Sequence, residues 1–198
     1  MARRTRAEME VTRATLLATA RQLFGERGYA QTSMDDLTAQ VHLTRGALYH
    51  HFGDKQGLLA AVVAELDAEM DARLRAITDS AEDAWEGFCQ RCRAYLEMAV
   101  EPPIQRIVLR DARAVLGGAS PDAQRYCVDS LRQLIDNLIR QGIIVPVNSH
   151  ALASLIYGSL AEAAFWIAEA EEGQARLAEG VAALNLLLGG LLVRPGGC

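Results

Sequence analysis

Arg45, Gly46, Tyr49 and His50 crowd into one short segment between Thr44 and His51. Their side chains are basic, small or able to hydrogen-bond. On one helix face that set suits contact with a nucleic-acid groove, where a guanidinium can grip a guanine edge with two parallel bonds. Leu48 and Phe52, four residues apart, supply the opposite, buried face. Thr44 is a cap candidate for this helix. The preceding segment has the same grammar. Ser33 followed by Asp36 marks a helix start, and Met34, Leu37 and Val41 fall three and four apart. The stretch from Thr32 to Lys55 therefore reads as two short helices joined by a tight turn.

Other reactive residues make a weaker case. Cys89-Gln-Arg-Cys92 has the spacing of a metal or thiol pair. A structural zinc site needs four ligands and no second such pair exists, while a redox pair belongs at a helix N-terminus and this one reads as mid-helix. Cys127, Cys198 and His150 complete no recognisable ligand set. No Gly-rich phosphate loop, H-E-x-x-H or G-x-S-x-G occurs, so the sequence gives no reason to expect an enzyme, a cofactor or a metal.

The run LTRGALYHHFGDKQGLL, preceded by GYAQTSMDDLTAQ, resembles the helix-turn-helix of the TetR family of bacterial transcriptional regulators, over roughly Thr5 to Val63. One departure is His42, where the family usually carries Gly in the turn; a positive φ there is costly for His. The resemblance implies a dimeric regulator, most often a repressor, reading a near-palindrome in duplex DNA and released by a small molecule. Matched to the family motif, Thr32, Ser33, Tyr49 and Lys55 position the protein on phosphates. Arg45, Gly46 and His50 lie nearest base edges, and Thr44 can do either. Arg3, Arg4 and Arg6 form a basic arm that either meets DNA or is simply solvated.

Charge supports the division of labour. The 198 residues carry a net charge of −5 and a pI near 5.4, which alone argues against nucleic acid. Residues 1–57, however, hold eight Arg and Lys against six Asp and Glu, and residues 58–198 hold twelve against nineteen. The basic end is the reading end. No run of eighteen apolar residues predicts a membrane span, and MARRTRAEMEVTR has no apolar run behind it, so no export signal is expected. Four unevenly spaced cysteines fit a reducing cytoplasm.

The elements that must position these residues are all helical, about nine of them. Ala7–Phe24 is amphipathic, with Val11, Leu16, Leu17, Ala20, Leu23 and Phe24 inward. With the two short helices it makes a three-helix DNA-binding domain, residues 1–54. A larger helical domain for ligand binding and dimerisation follows over 55–198. It begins with a long helix from Lys55 to about Ile77, then helices over Asp79–Val100, Ile104–Leu116, Ala123–Gln141, Ala151–Glu171 (capped by Ser149) and Ala175–Leu192. The last two are apolar nearly all round, so a second subunit is expected to cover them. The expected two-fold interface takes Leu152, Leu155, Ile156, Ser159, Ala163, Trp166, Leu184, Leu187, Leu188 and Leu191; the alternative is that both helices are central in a monomer core. The effector-pocket candidates are Trp85, Phe88, Cys92, Tyr95, Met98, Ile107, Arg110, Tyr157, Phe165 and Trp166. Arg110 suits an anionic ligand, or a surface pair with Asp111. Two rival readings are a thiol sensor through Cys89 and Cys92, and a helical small-molecule-binding module with a vestigial reading head.

Overall fold

The computed structural model describes residues 6–41 and 44–193; His42, Arg3, Arg4 and Cys198 lie outside them. Among the described residues the chain forms α1 (Arg6–Arg27), α2 (Met34–Gln40), α3 (Arg45–Phe52), α4 (Lys55–Ser80), α5 (Ala84–Met98), a π-helix (Ile104–Asp111), α6 (Ala112–Leu116), α7 (Pro121–Arg140), α8 (Ser149–Ala168) and α9 (Gly173–Gly189). One antiparallel bridge, Ile144 with Leu192, pairs the segment after α7 with the segment after α9.

The helices fall into two compact units. The first takes residues up to Ala68 and adds Pro102–Gly118; the second takes Glu69–Glu101 and the chain from Ala119 onward. This differs from the expected boundary after residue 54. The reason is burial: Ile107 of the π-helix and Ala112 of α6 enter the same core as Leu16, Leu17, Phe24, Leu37, Leu48, Leu58, Leu59 and Leu66. Removing each Leu side chain from water contributes about 1.5–3 kcal/mol, so the head's stability depends on all of these elements. Val11, expected inward, is exposed, because no residue before Leu16 in α1 is buried.

Caps decide where the short helices begin. Ser33 Oγ accepts from the Asp36 amide (3.1 Å), and the Asp36 carboxylate accepts from the Ser33 amide (2.9 Å), closing a capping box. Thr44 Oγ1 accepts from the Ala47 amide at 3.3 Å, and Asp54 Oδ1 accepts from the Gly57 amide at 2.7 Å. Asn148, rather than Ser149, caps α8: its Oδ1 accepts from the Ala151 amide at 2.9 Å.

The second unit packs α5, α7, α8 and α9 around Phe88, Cys92, Leu96, Ile135, Leu138, Leu160 and Ile167. Ile156, Leu184 and Leu188 also point into this core, which corrects their expected place at a subunit interface. Leu155, Trp166, Leu186 and Leu187 instead stand outward, 70%, 41%, 79% and 63% exposed. A helix apolar all round gives no sequence signal for which side faces in. Leu152, Ala163 and Leu191 are half-buried and Ser159 is exposed. By length and composition alone α8 is apolar enough to cross a membrane, a test that core helices of water-soluble folds also pass.

Candidate nucleic-acid interface

Within the first unit, Leu48 anchors α3 on the core and leaves the other side of the helix in solvent. That outward side carries Arg45, Gly46, Tyr49 and His50, with Thr44 at its start. Arg13 of α1 stacks on the Phe52 ring (5.4 Å to the centroid) and closes the far end. Among the described residues only the Thr44 hydroxyl lies within 4 Å of where a Gly46 Cβ would stand, so the backbone there is open to a close approach. His51 meets the His50 ring edge-on and the Phe52 ring at a tilt.

Arg45 is engaged with α2. Its Nε donates to Asp35 Oδ1 and its Nη2 to Asp35 Oδ2, a two-pronged pair with both partners well exposed. The hydrogen bond to Arg45 holds the Asp35 carboxyl below its ordinary pKa, and the same contact raises Arg45. Asp36 is lowered too, chiefly by the Ser33 hydroxyl. Nothing local in the sequence connects Asp35 to a residue ten positions away on the next helix.

Two of the residues expected at phosphates have partners within the head. Thr32 is 1% exposed, and its hydroxyl donates to the Gly28 carbonyl (2.9 Å) and lies 3.3 Å from that of Leu23. It closes the loop after α1 and cannot present its hydroxyl to a ligand. Lys55 Nζ stands 4.1 Å from the centre of the Tyr29 ring, a cation–π contact. Burial lowers the Lys55 pKa, opposed by the Asp111 carboxylate. Ser33 is exposed, though its hydroxyl already donates to Asp36 at 2.7 Å.

The loop that delivers α2 is held from below by the π-helix. Arg106 Nη2 donates to the Arg27 carbonyl at 2.9 Å, and Asp111 Oδ2 accepts from the Tyr29 amide at 2.8 Å. These links bridge about eighty residues of sequence and were invisible in it. Ile107, expected in an effector pocket, belongs to this head core; Arg110 is exposed on the same π-helix.

In the second unit the remaining pocket candidates differ in setting. Phe88, Cys92 and Met98 are buried, while Trp85, Tyr95, Tyr157 and Phe165 are half-buried. Trp166 is turned out, with the Arg176 guanidinium 4.9 Å over its ring, so it is not a pocket residue. Arg91, not singled out in the sequence, is the buried charge here, 6% exposed; its Nη2 donates to Ser130 Oγ at 3.1 Å and stands 3.8 Å from Asp71 Oδ1. The thiols of Cys89 and Cys92 are pushed up, to about 11 and about 12, mainly by burial. Such thiols stay protonated at neutral pH and are poor nucleophiles.

Comparison with known proteins matches both parts of the chain. The family model described as "Bacterial regulatory proteins, tetR family" matches residues 16–62, and that described as "Tetracyclin repressor-like, C-terminal domain" matches residues 85–191. The chain belongs to the TetR family, and is thus a DNA-binding transcriptional regulator rather than an enzyme. It is similar to the HTH-type transcriptional regulator TtgR of Pseudomonas putida, 28% identical over 74% of this chain and 87% of TtgR. Among solved structures, a TetR-family transcriptional regulator from Pectobacterium atrosepticum is 78% identical, with a TM-score of 0.93 over 98% of this chain and 100% of that one. RolR, solved in complex with its ligand resorcinol, shares the fold at 20% identity, with a TM-score of 0.70 over 97% of this chain and 100% of RolR.

Proposed function

We propose that the protein is a cytoplasmic repressor that binds a near-palindromic operator as a two-fold dimer and leaves it when a small molecule occupies the second unit. The observation that carries the reading is the outward side of α3. Arg45, Gly46, Tyr49 and His50 stand free of the head core on a helix capped at its start and anchored by Leu48. In this reading Arg45, Gly46 and His50 meet base edges, and Tyr49, Ser33 and Thr44 meet phosphates. The exposed apolar residues Leu155, Trp166, Leu186 and Leu187 support the dimer, since α8 and α9 leave them uncovered within one chain. They also give the apolar face of α8 a protein partner rather than a lipid one.

The repressor assignment draws on the likeness of residues 85–191 to the repressor-type C-terminal domain, and the small-molecule effector on a fold shared with resorcinol-bound RolR. Phe88, Cys92, Tyr95 and Met98 of α5, with Tyr157 and Phe165 of α8, are the residues proposed to meet the effector. The test is selection of bound duplexes from a random DNA library with the purified protein. An enriched inverted repeat, with half-sites about 34–36 Å apart or a multiple of that, is the expected result. Enrichment of single half-sites overturns the dimeric reading, and no enrichment at low salt overturns DNA reading altogether.

A further inference from the structure

We infer that Asp35 is a positioning residue for Arg45, fixing its guanidinium so that the end of the fork is left to read a guanine. The inference rests on the proposal that Arg45 meets base edges, and adds the residue that orients it. A guanidinium has five N–H donors in a rigid plane. Asp35 takes the side edge, one donor from Nε and one from Nη2. The second Nη2 donor and both Nη1 donors remain, and one from each nitrogen forms a parallel pair along the end of the fork. That pair matches O6 and N7 of guanine in the major groove. The carboxylate and the base therefore use different edges of one group and do not compete.

The placement suits this role. Asp35 lies in the first turn of α2, where the helix dipole favours an anion, and the α2 capping box uses Ser33 and Asp36, leaving Asp35 free of that duty. Arg45 is the first residue of α3, so the pair spans the turn between the two helices. An exposed ion pair adds little to folding stability. What it removes is the freedom of a long side chain that must otherwise be ordered on binding. The carboxylate also repels phosphates, so it weakens non-specific contacts while sharpening the specific one.

The test uses the full chain on the duplex returned by library selection, and on duplexes altered at the guanine position that Arg45→Ala flattens. Affinities are measured for wild type, Asp35→Asn, Arg45→Ala and the double variant. Asp35→Asn is expected to lower discrimination at that guanine about tenfold, within the range a bidentate contact supplies. Affinity for random duplex should hold or rise, and the thermal midpoint should not move. In the Arg45→Ala background Asp35→Asn should leave discrimination unchanged. Asp35→Ser should behave as Asp35→Asn, excluding an effect peculiar to the amide. If Asp35→Asn weakens all duplexes in equal proportion, or acts equally without Arg45, the positioning role is wrong. If Arg45→Ala itself flattens no position, both this inference and the base-reading assignment beneath it fail, and the wild-type selection still reports separately on DNA reading.

Discussion

Gly28→Ala is expected to destabilise the reading head by about 2–3 kcal/mol, in two separable parts. Gly28 closes α1 with φ near +84°, and an L side chain there costs roughly 1–2 kcal/mol. The added Cβ would also collide with the Arg106 guanidinium, whose Cζ and Nε lie 2.9 Å from its position. Arg106 presents the flexible end of a side chain, so it can swing aside, but only by giving up its 2.9 Å bond to the Arg27 carbonyl. That bond is partly solvated, which places its loss at about 1 kcal/mol. For a chain of this size the total lowers the thermal midpoint by roughly 5–10 °C. The assay is thermal and urea unfolding of Gly28→Ala beside Gly25→Ala. Gly25, in the same helix, has nothing among the described residues within 4 Å of its Cβ site and no positive φ, so Gly25→Ala should stabilise by about 0.5–1 kcal/mol. In an Arg106→Ala background the cost of Gly28→Ala should shrink to the backbone part. A Gly28→Ala protein as stable as wild type refutes the reasoning; an equal cost in both backgrounds refutes the steric half.

Leu155→Asp with Leu187→Asp should convert a dimer to a monomer in sedimentation equilibrium and abolish inverted-repeat binding, because each substitution enters a two-fold interface twice; a double variant that stays dimeric contradicts the proposed interface. With their pKa values pushed to about 11 and about 12, Cys89 and Cys92 should react far more slowly with iodoacetamide at pH 7.5 in the native protein than after unfolding. A duplex affinity that changes with reductant, and stops doing so in Cys92→Ser, would revive the thiol-sensor reading. Burial raises Asp67 from an ordinary 3.8 to about 6, so between about pH 4 and pH 6 the folded chain binds more protons than the unfolded one. Stability from this group therefore falls as pH rises through that window, and Asp67→Asn should flatten the slope; parallel pH curves for the two proteins would show that Asp67 contributes nothing to it.

The parts of the head that follow local rules were readable in the sequence. Ser33, Thr44 and Asp54 cap helices because a short oxygen-bearing side chain there satisfies an orphan amide, and Leu37, Leu48, Leu58, Leu59 and Val62 are buried where their spacing puts them. What depends on distant packing was not. Arg106 and Asp111 reach the end of α1 and Tyr29 from about eighty residues away, and this moves the π-helix into the head core. The pairing of Asp35 with Arg45 joins residues ten positions apart on two different helices. Thr32 looks like a phosphate ligand until its burial and its bond to the Gly28 carbonyl are seen, and nothing in the sequence shows that the half-buried Lys55 ammonium lies over the Tyr29 ring. The outward sides of α8 and α9 were legible only in part, since Leu186 and Leu188 look alike in a sequence apolar on every side yet stand at opposite extremes of exposure.

The central claim is that the outward side of α3 reads bases, and the most direct measurement is to repeat the random-library selection with Arg45→Ala beside the wild type. The account expects both proteins to enrich an inverted repeat of the same spacing, with one guanine per half-site losing its preference in the variant. An unchanged preference at every position would contradict it.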